Sequence, residues 1–289
     1  PLAGYEGNKV TGRMIGDRLI KEGEGNITLN IEKSSNDGSF LVSGRGELQL
    51  SVLIETMRRE GYELSVSKPQ VLMKNDEMGK LLEPIEEVII DVDDDYAGQV
   101  VQDLNKRKGI MLEMKPFGAG RSRLIFEAPT RGLIGYQSEL LTVTSGTAVI
   151  NRLFSRYESF KGEIKGRTNG VLISNGDGIS VAFALFNLEE RGQMIISSGI
   201  PVYQGMIIGV HSRPNDLEVN ILKGKKLTNI RTHSKDEAVK LTPPIAMNLE
   251  KAIAWISDDE LIEVTPKSIR IRKKFLDPNI RKKMEKKIN

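Results

Sequence analysis

The chain contains no cysteine and no segment typical of a membrane or secreted protein. None of its 289 residues is a cysteine, so disulfide bonds and thiolate metal sites are excluded. No apolar run approaches the roughly 18–20 residues that a membrane-spanning helix needs, and no basic-then-apolar signal pattern opens the sequence. With 39% hydrophobic and 28% charged residues, the composition predicts a globular, cytoplasmic protein with no membrane partner.

Nucleotide and metal motifs are also missing. The sequence has no G-x-x-x-x-G-K-S/T and no G-x-G-x-x-G, which excludes a P-loop and a dinucleotide fingerprint. Asp91, Asp93 and Asp95 have the spacing of the first three ligands of a calcium loop. However, Tyr96 replaces the required glycine and Gln102 the bidentate glutamate. We therefore predict no metal site and no cofactor, and interpret these acids as a strand end beside a helix N-terminus.

Groups for acid–base or nucleophilic catalysis are scarce. His211 and His233 are the two histidines, and no patterned carboxylate or nucleophile accompanies them. For His211 a structural role is favoured over a general base. Asp258, Asp259 and Glu260 fall between a predicted helix and a predicted strand, which favours a turn over a catalytic pair. We predict no catalytic residue.

The sequence does contain two copies of one order of secondary structure. Hydrophobic periodicity predicts helix–strand–strand–helix–strand at 12–21, 26–32, 40–44, 46–61 and 62–67. Over 86–158 the order is strand–helix–strand–strand–helix–strand. Both are typical of the split βαβ (ferredoxin-like) unit, the first lacking its opening strand. That gap and the missing initiator methionine lead us to expect a piece of a longer chain.

From about residue 166 short strands and glycines prevail. Residues 175–178 predict a turn that joins two strands in a hairpin, and the continuous apolar run at 181–186 predicts a buried strand. Asp277, followed by proline, is predicted to be the N-cap of a basic terminal helix. The overall prediction is an α+β fold: two ferredoxin-like domains, the first incomplete, followed by a mostly β C-terminal domain with a long basic loop.

The net charge is only +3, but positive charge is concentrated in two segments. In the segment 221–240, ILKGKKLTNIRTHSKDEAVK, six basic residues accompany Asp236 and Glu237. The segment 267–289 has ten basic residues and two acidic ones, a net charge of about +8. Since residues 213–239 form an unusually long excursion between strand-like segments, we predict that they contact nucleic acid. For the terminal segment, a solvated tail and a polyanion contact stay equally open.

The motif RGLIG at 131–135 leaves two interpretations open. It falls at a predicted strand-to-helix turn, where Arg131 and exposed helix N–H groups could bind an anion. Alternatively, its glycines serve the turn and the close packing of helix on sheet, which is somewhat favoured.

Several of these segments resemble the translational GTPases of the elongation-factor-G group. VSGRGELQLSVLIETMRREGYELSVSKPQV resembles domain III of that group, and APTRGLIGYQSELLTVTSGTAV resembles domain V. The segments NGVLISNGDGISVAFALF, IIGVHSRPNDLEVNILKGKKLTN and LTPPIAMNLEKAIAWISDDELIEVTPKSIRIRKK are similar to the C-terminal domain of the BipA (TypA) family. The resemblance covers nearly the whole chain.

The resemblance implies domain III at 1–78, domain V at 79–165 and the BipA-specific C-terminal domain at 166–289. It also implies that the GTPase domain, with its GTP and Mg²⁺, and domain II lie outside this chain. The fragment itself would then be no enzyme, whereas the full-length parent would be a ribosome-stimulated GTPase. A small-molecule-sensing module built on paired ferredoxin-like domains is the alternative.

The partners implied by the resemblance are the bacterial ribosome (50S or 70S), 23S rRNA and the acceptor end of an A-site tRNA. The family acts in large-subunit assembly and in adaptation to stress, cold and virulence, and we expect a monomer. The long loop of its C-terminal domain reaches toward the peptidyl-transferase centre. Carried onto this sequence, the predicted RNA-binding residues are Arg213, Lys223, Lys225, Lys226, Asn229, Arg231, His233, Arg270, Arg272, Lys273 and Lys274.

Overall fold

A computed structural model of the chain describes residues 1–34, 38–118, 120–224 and 240–288. The chain divides into two compact units. One comprises Pro1–Lys68, Arg167–Ala252 and Ile256–Asn289, and the other comprises Pro69–Gly166 and Ile253–Trp255. Helices and antiparallel strands occur in both, so the predicted α+β class is confirmed.

The opening segment has the predicted order of elements. These are α1 (Gly12–Gly25), β1 (Asn30–Lys33), β2 (Phe40–Ser43), α2 (Glu47–Arg59) and β3 (Leu64–Ser67). The Thr11 hydroxyl caps α1 by accepting a hydrogen bond from the Met14 backbone N–H. Gly61, with a φ of 88°, ends the turn after α2 in the left-handed conformation that favours glycine. Leu19, Leu53 and Met57 are buried where the two helices pack with the β1–β2 pair.

The elements of the second unit are β4 (Lys74–Asn75), β5 (Leu81–Asp93), α3 (Asp94–Lys106), β6 (Ile110–Pro116), β7 (Arg121–Pro129), α4 (Thr130–Leu133), α5 (Tyr136–Val143) and β8 (Val149–Ser159). From β5 onward the second unit also has the predicted order, except that two helices, α4 and α5, stand where one was predicted. β5 pairs antiparallel with β7 on one side and β8 on the other, and β6 pairs with β7. Side chains from β5, β7, α3 and α5, including Val88, Leu104 and Phe126, form its buried core.

The remainder of the chain contains mostly short strands. They and their helices are β9 (Val171–Ser174), β10 (Gly178–Ile179), α6 (Ala182–Leu188), β11 (Gly192–Met194), β12 (Pro201–Val202), β13 (Met206–His211), β14 (Leu217–Val219), α7 (Leu249–Trp255), β15 (Glu260–Val264), β16 (Ile269–Lys273) and α8 (Pro278–Ile288). The expected terminal helix is confirmed, since the Asp277 carboxylate accepts hydrogen bonds from the backbone N–H groups of Asn279 and Ile280.

One sheet joins the two ends of the chain. Its strand order is β14-β9-β13-β16-β15-β3, and β11 pairs with β13. β3 is thus the antiparallel neighbour of β15, with Val66 opposite Ile262. The predicted division into 1–78, 79–165 and 166–289 stays a prediction, but a strand of its first part and strands of its third share this sheet.

Two predictions for residues 171–188 are wrong. β9 and β10 do not form a hairpin, because β9 pairs with β13 and β14 whereas β10 pairs with β12. The apolar run assigned to a buried strand begins α6 instead. Leu185 and Leu188 face a buried cluster while Phe186 stays 47% exposed. A continuous apolar run carries no periodicity that separates these two outcomes.

Candidate nucleic-acid interface

Five of the eleven predicted RNA-binding residues lie outside the residues that the structure describes. They are Lys225, Lys226, Asn229, Arg231 and His233, and their role stays a prediction. The chain on either side of them is anchored: Ile221 is buried, and Leu222 and Leu241 both pack against one cluster formed around β13, β14 and α6. The two ends of the basic segment therefore lie on the same core.

Three further predicted residues are exposed and available. Arg213 lies in the turn between β13 and β14, where its backbone carbonyl accepts a hydrogen bond from the Gly170 N–H. Lys223 follows β14, and Lys274 follows β16. Within the described part of the chain none of these three side chains forms an ion pair, so each can contact an anionic partner.

Lys273 has an internal role instead. Its side chain is 3% exposed, and Nζ lies 2.6 Å from Asp216 Oδ2, 2.7 Å from Asp259 Oδ2 and 3.1 Å from Glu260 Oε1. Burial alone would lower the pKa of Lys273, but the attraction of Glu260 and the hydrogen bonds to Asp216 and Asp259 outweigh burial and raise it. The ammonium group is therefore charged and already surrounded by carboxylates.

Glu260 is fully buried at the centre of this group. Arg167 Nη2 donates to Glu260 Oε1 at 2.7 Å, and the Ser257 backbone N–H donates to Oε2 at 2.9 Å. Burial would raise the pKa of Glu260, but Arg167 and Lys273 together lower it. The acids at 258–260 thus belong to a turn and a structural ion cluster rather than to a catalytic pair.

The arginines of β16 are also engaged within the chain. Arg270 is 9% exposed, with Nη1 2.8 Å from Glu6 Oε1, and Arg272 Nε lies 2.9 Å from Glu263 Oε1. Contact with RNA would require breaking these pairs. Because of this internal role we leave Arg270, Arg272 and Lys273 out of the proposed interface.

Glu6 ties the opening segment to the β15–β16 hairpin. Its carboxylate accepts hydrogen bonds from Ser268 Oγ at 2.9 Å and from Arg270 Nη1 at 2.8 Å, as well as from Thr265. Burial works to raise the pKa of Glu6, but these hydrogen bonds outweigh it and lower the pKa to about 2. No local pattern could have indicated this contact, since 264 positions separate Glu6 from Arg270.

A second carboxylate fixes the opening segment itself. The Glu63 carboxylate accepts hydrogen bonds from the backbone N–H groups of Gly4 at 2.7 Å and Gly7 at 2.6 Å. Together with the β3–β15 pairing, the two glutamates connect the N-terminal residues to the sheet. The basic residues of β16 therefore belong to a sheet that is also connected to the N-terminal residues.

The remaining motifs have structural roles. His211 is buried, with Nδ1 2.5 Å from the Asn215 carbonyl oxygen, and this contact supports the structural role favoured for it. Arg131 Nε donates to the fully buried Glu83 carboxylate at 2.5 Å, and its guanidinium lies over the Phe160 ring. The alternative of an anion contact at Arg131 is therefore not favoured.

Among the described residues, no group of three or more His, Cys, Asp and Glu side chains could hold a metal ion. No helix in that part of the chain is long and apolar enough to cross a membrane.

Known proteins resemble the chain along most of its length. Residues 80–168 match the elongation factor G C-terminus, and residues 169–278 match the TypA/BipA C-terminal domain. The chain is 54% identical to the protein named large ribosomal subunit assembly factor BipA from Haemophilus influenzae, over 98% of this chain and 46% of that protein. For the proteins of the same name from Escherichia coli K12 and Buchnera aphidicola, the identities over 98% of this chain are 54% and 47%.

These matches define first a class and then a family. The chain carries C-terminal domains of the elongation-factor-G-like translational GTPases. Within that class, it belongs to the TypA/BipA family. The chain spans about half the length of the curated relatives it matches, covering 46% of the Haemophilus protein and 47% of the Escherichia coli protein. These names do not favour the alternative of a small-molecule-sensing module.

Proposed function

We propose that the chain is the ribosome-binding C-terminal part of a large-subunit assembly factor and contacts RNA through its basic segment. The observation that carries this proposal is the 54% identity, over 98% of the chain, to proteins named large ribosomal subunit assembly factor. The proposed partners are the bacterial ribosome, its 23S rRNA and the acceptor end of an A-site tRNA.

The physical basis is electrostatic. Lysine and arginine displace the counterions condensed on RNA, which gives an affinity that falls steeply with salt. The proposed contacts are Arg213, Lys223 and Lys274, together with the predicted residues of the segment 225–239. The residues on either side of that segment pack against one core, which supports the proposal. Because both ends are fixed there, the segment can present its charges only near that core.

The ferredoxin-like classification is part of the same proposal. The spatial order β8-β5-β7-β6, with all pairs antiparallel, supports it for the second unit. There α3 follows the first strand and α5 the third. For the opening segment, the order α1-β1-β2-α2-β3 supports the same fold without its first strand.

For the whole protein we propose a ribosome-stimulated GTPase whose GTP and Mg²⁺ bind outside this chain. Hydrolysis would change the arrangement of its domains and so weaken ribosome binding. A monomer and a cytoplasmic location follow from the same proposal, and roles in stress, cold and virulence stay predictions.

The test is co-sedimentation of the chain with purified 50S subunits over a salt series, beside the Lys225→Glu/Lys226→Glu variant. The control, Lys21→Glu/Lys33→Glu, makes the same change in charge at exposed sites near the start of the chain. We expect wild type and control to pellet at low salt and the first variant to stay in solution. Equal pelleting of all three proteins would remove the basic segment from the proposed interface.

A further inference from the structure

Helix α8 is fixed to the scaffold by one buried arginine. Arg281 is 9% exposed, and its Nη1 donates to the carbonyl oxygens of Phe275 at 2.7 Å and Leu276 at 2.6 Å. Its Nη2 lies 2.9 Å from Glu218 Oε1 in β14. With the Asp277 cap, these contacts hold the first turns of the helix beside the last strand before the basic segment.

The opposite face of α8 is cationic and unpaired. At about 100° per residue, Lys282, Lys286 and Lys283 lie at roughly 100°, 140° and 200° around the axis from Arg281. All three are exposed, and none forms an ion pair with a described side chain. Their charges therefore face solvent, on a helix whose first turns are held by Arg281 and the Asp277 cap.

We propose that Lys282, Lys283 and Lys286 form a second polyanion-binding surface, whose partner is the phosphate backbone of folded RNA. Lysine ammonium groups are compact point charges that bind phosphate without reading base sequence. This surface deepens the proposed function and rests on it for the identity of the RNA. Of the two interpretations of the segment 267–289, it selects the polyanion contact. The surface lies beside β14, the last strand before the basic segment 221–240.

A membrane surface fits the helix less well. A helix that lies in a lipid interface needs a free apolar face with large side chains. In the described part of α8, only Ile280 at 46% and Met284 at 36% are exposed large hydrophobic residues, and Arg281 on the inner face is engaged with Glu218. Ile280 and Met284 lie one turn apart and form only a small apolar strip. Because three exposed lysines accompany so small an apolar area, the helix favours RNA over lipid.

The test compares Lys282→Gln/Lys283→Gln/Lys286→Gln with the control Lys21→Gln/Lys33→Gln/Lys80→Gln. Glutamine keeps a good helix propensity, so the fold is expected to persist, which circular dichroism and thermal unfolding check. Binding to a fluorescent RNA duplex is measured over a salt series, beside binding to phosphatidylserine vesicles and to 50S subunits. The logarithm of the association constant for the duplex falls linearly with the logarithm of the salt concentration. We expect the α8 variant to make this slope less steep by about 2–3, and the control to leave it nearer the wild-type value.

The outcomes separate this inference from the proposed function. An α8 variant that binds the duplex with the wild-type slope overturns the inference, as does lysine-dependent binding to vesicles alone. If duplex binding requires the α8 lysines but 50S subunits bind no form of the chain, the inference stands and the proposed function fails. If wild type and the α8 variant bind 50S and duplex with equal salt dependence, the inference fails and the proposed function stands.

Discussion

Strand β16 and helix α8 are both rich in basic residues, but these residues have opposite roles. β16 and the residue before it read SIRIRK, and the first turns of α8 contain IRKKM. In β16, Arg270 and Lys273 are buried against carboxylates, and two of these, Glu6 and Asp216, are far away in the sequence. In α8 a single arginine points inward, while the lysines that follow it face solvent.

The difference shows what decides the role of a basic residue. β16 is an inner strand with neighbours on both sides, β13 and β15, so its side chains meet acids supplied by other strands and loops. α8 contacts the scaffold along one side, and the helical period turns its other side to solvent. Positive charge is similarly dense in the sequences of β16 and α8, so charge density alone does not tell buried basic residues from exposed ones.

The largest expected effect is the loss of the buried cation of β16. Lys273→Met leaves Asp216, Asp259 and Glu260 without the ammonium group that they share. We expect the free energy of unfolding to fall by about 3–5 kcal/mol, because a buried charge loses its partner. Urea unfolding measures it. The matched control Lys274→Met, at an exposed neighbour, should change stability by no more than about 0.5 kcal/mol; equal losses in the two variants would erase the contrast.

A smaller effect should follow the titration of Glu6. Its pKa is lowered from 4.5 to about 2, so its contribution to stability is complete above about pH 4.5 and is lost as the pH falls toward 2. After allowance for solvent screening we expect this contribution to be about 1–2 kcal/mol. Unfolding at a series of pH values should show a shallower loss for Glu6→Gln than for wild type. Parallel curves would mean that the Glu6 contacts contribute nothing measurable.

The smallest expected effect concerns the anchor of α8. Glu218→Gln removes the charge opposite Arg281, a partly exposed pair whose contribution is about 1 kcal/mol or less. Hydrogen exchange of the α8 amides should accelerate up to about fivefold, while exchange in the β13 core stays unchanged. Unaltered exchange in α8 would show that the charge of Glu218 contributes nothing measurable to the attachment of the helix.

Local sequence patterns predicted the helices and strands well where the sequence has a hydrophobic period or a helix-capping residue. The order of elements in both copies and the Asp277 cap of α8 follow from short-range signals. The run at 181–186 was assigned wrongly because uniform apolarity fits both a strand and a helix. The roles of Arg270 and Lys273 depend on partners such as Glu6 and Asp216, which only the tertiary fold brings within reach.

Lysine labelling tests the central claim most directly. Reductive methylation of the chain, with and without purified 50S subunits, can be quantified at each lysine by mass spectrometry. The account predicts that Lys273 resists labelling in both states, whereas Lys282, Lys283 and Lys286 react readily and become protected by the subunits. Labelling of Lys273 as fast as that of Lys274, or α8 lysines that stay equally reactive when subunits are bound, would contradict it.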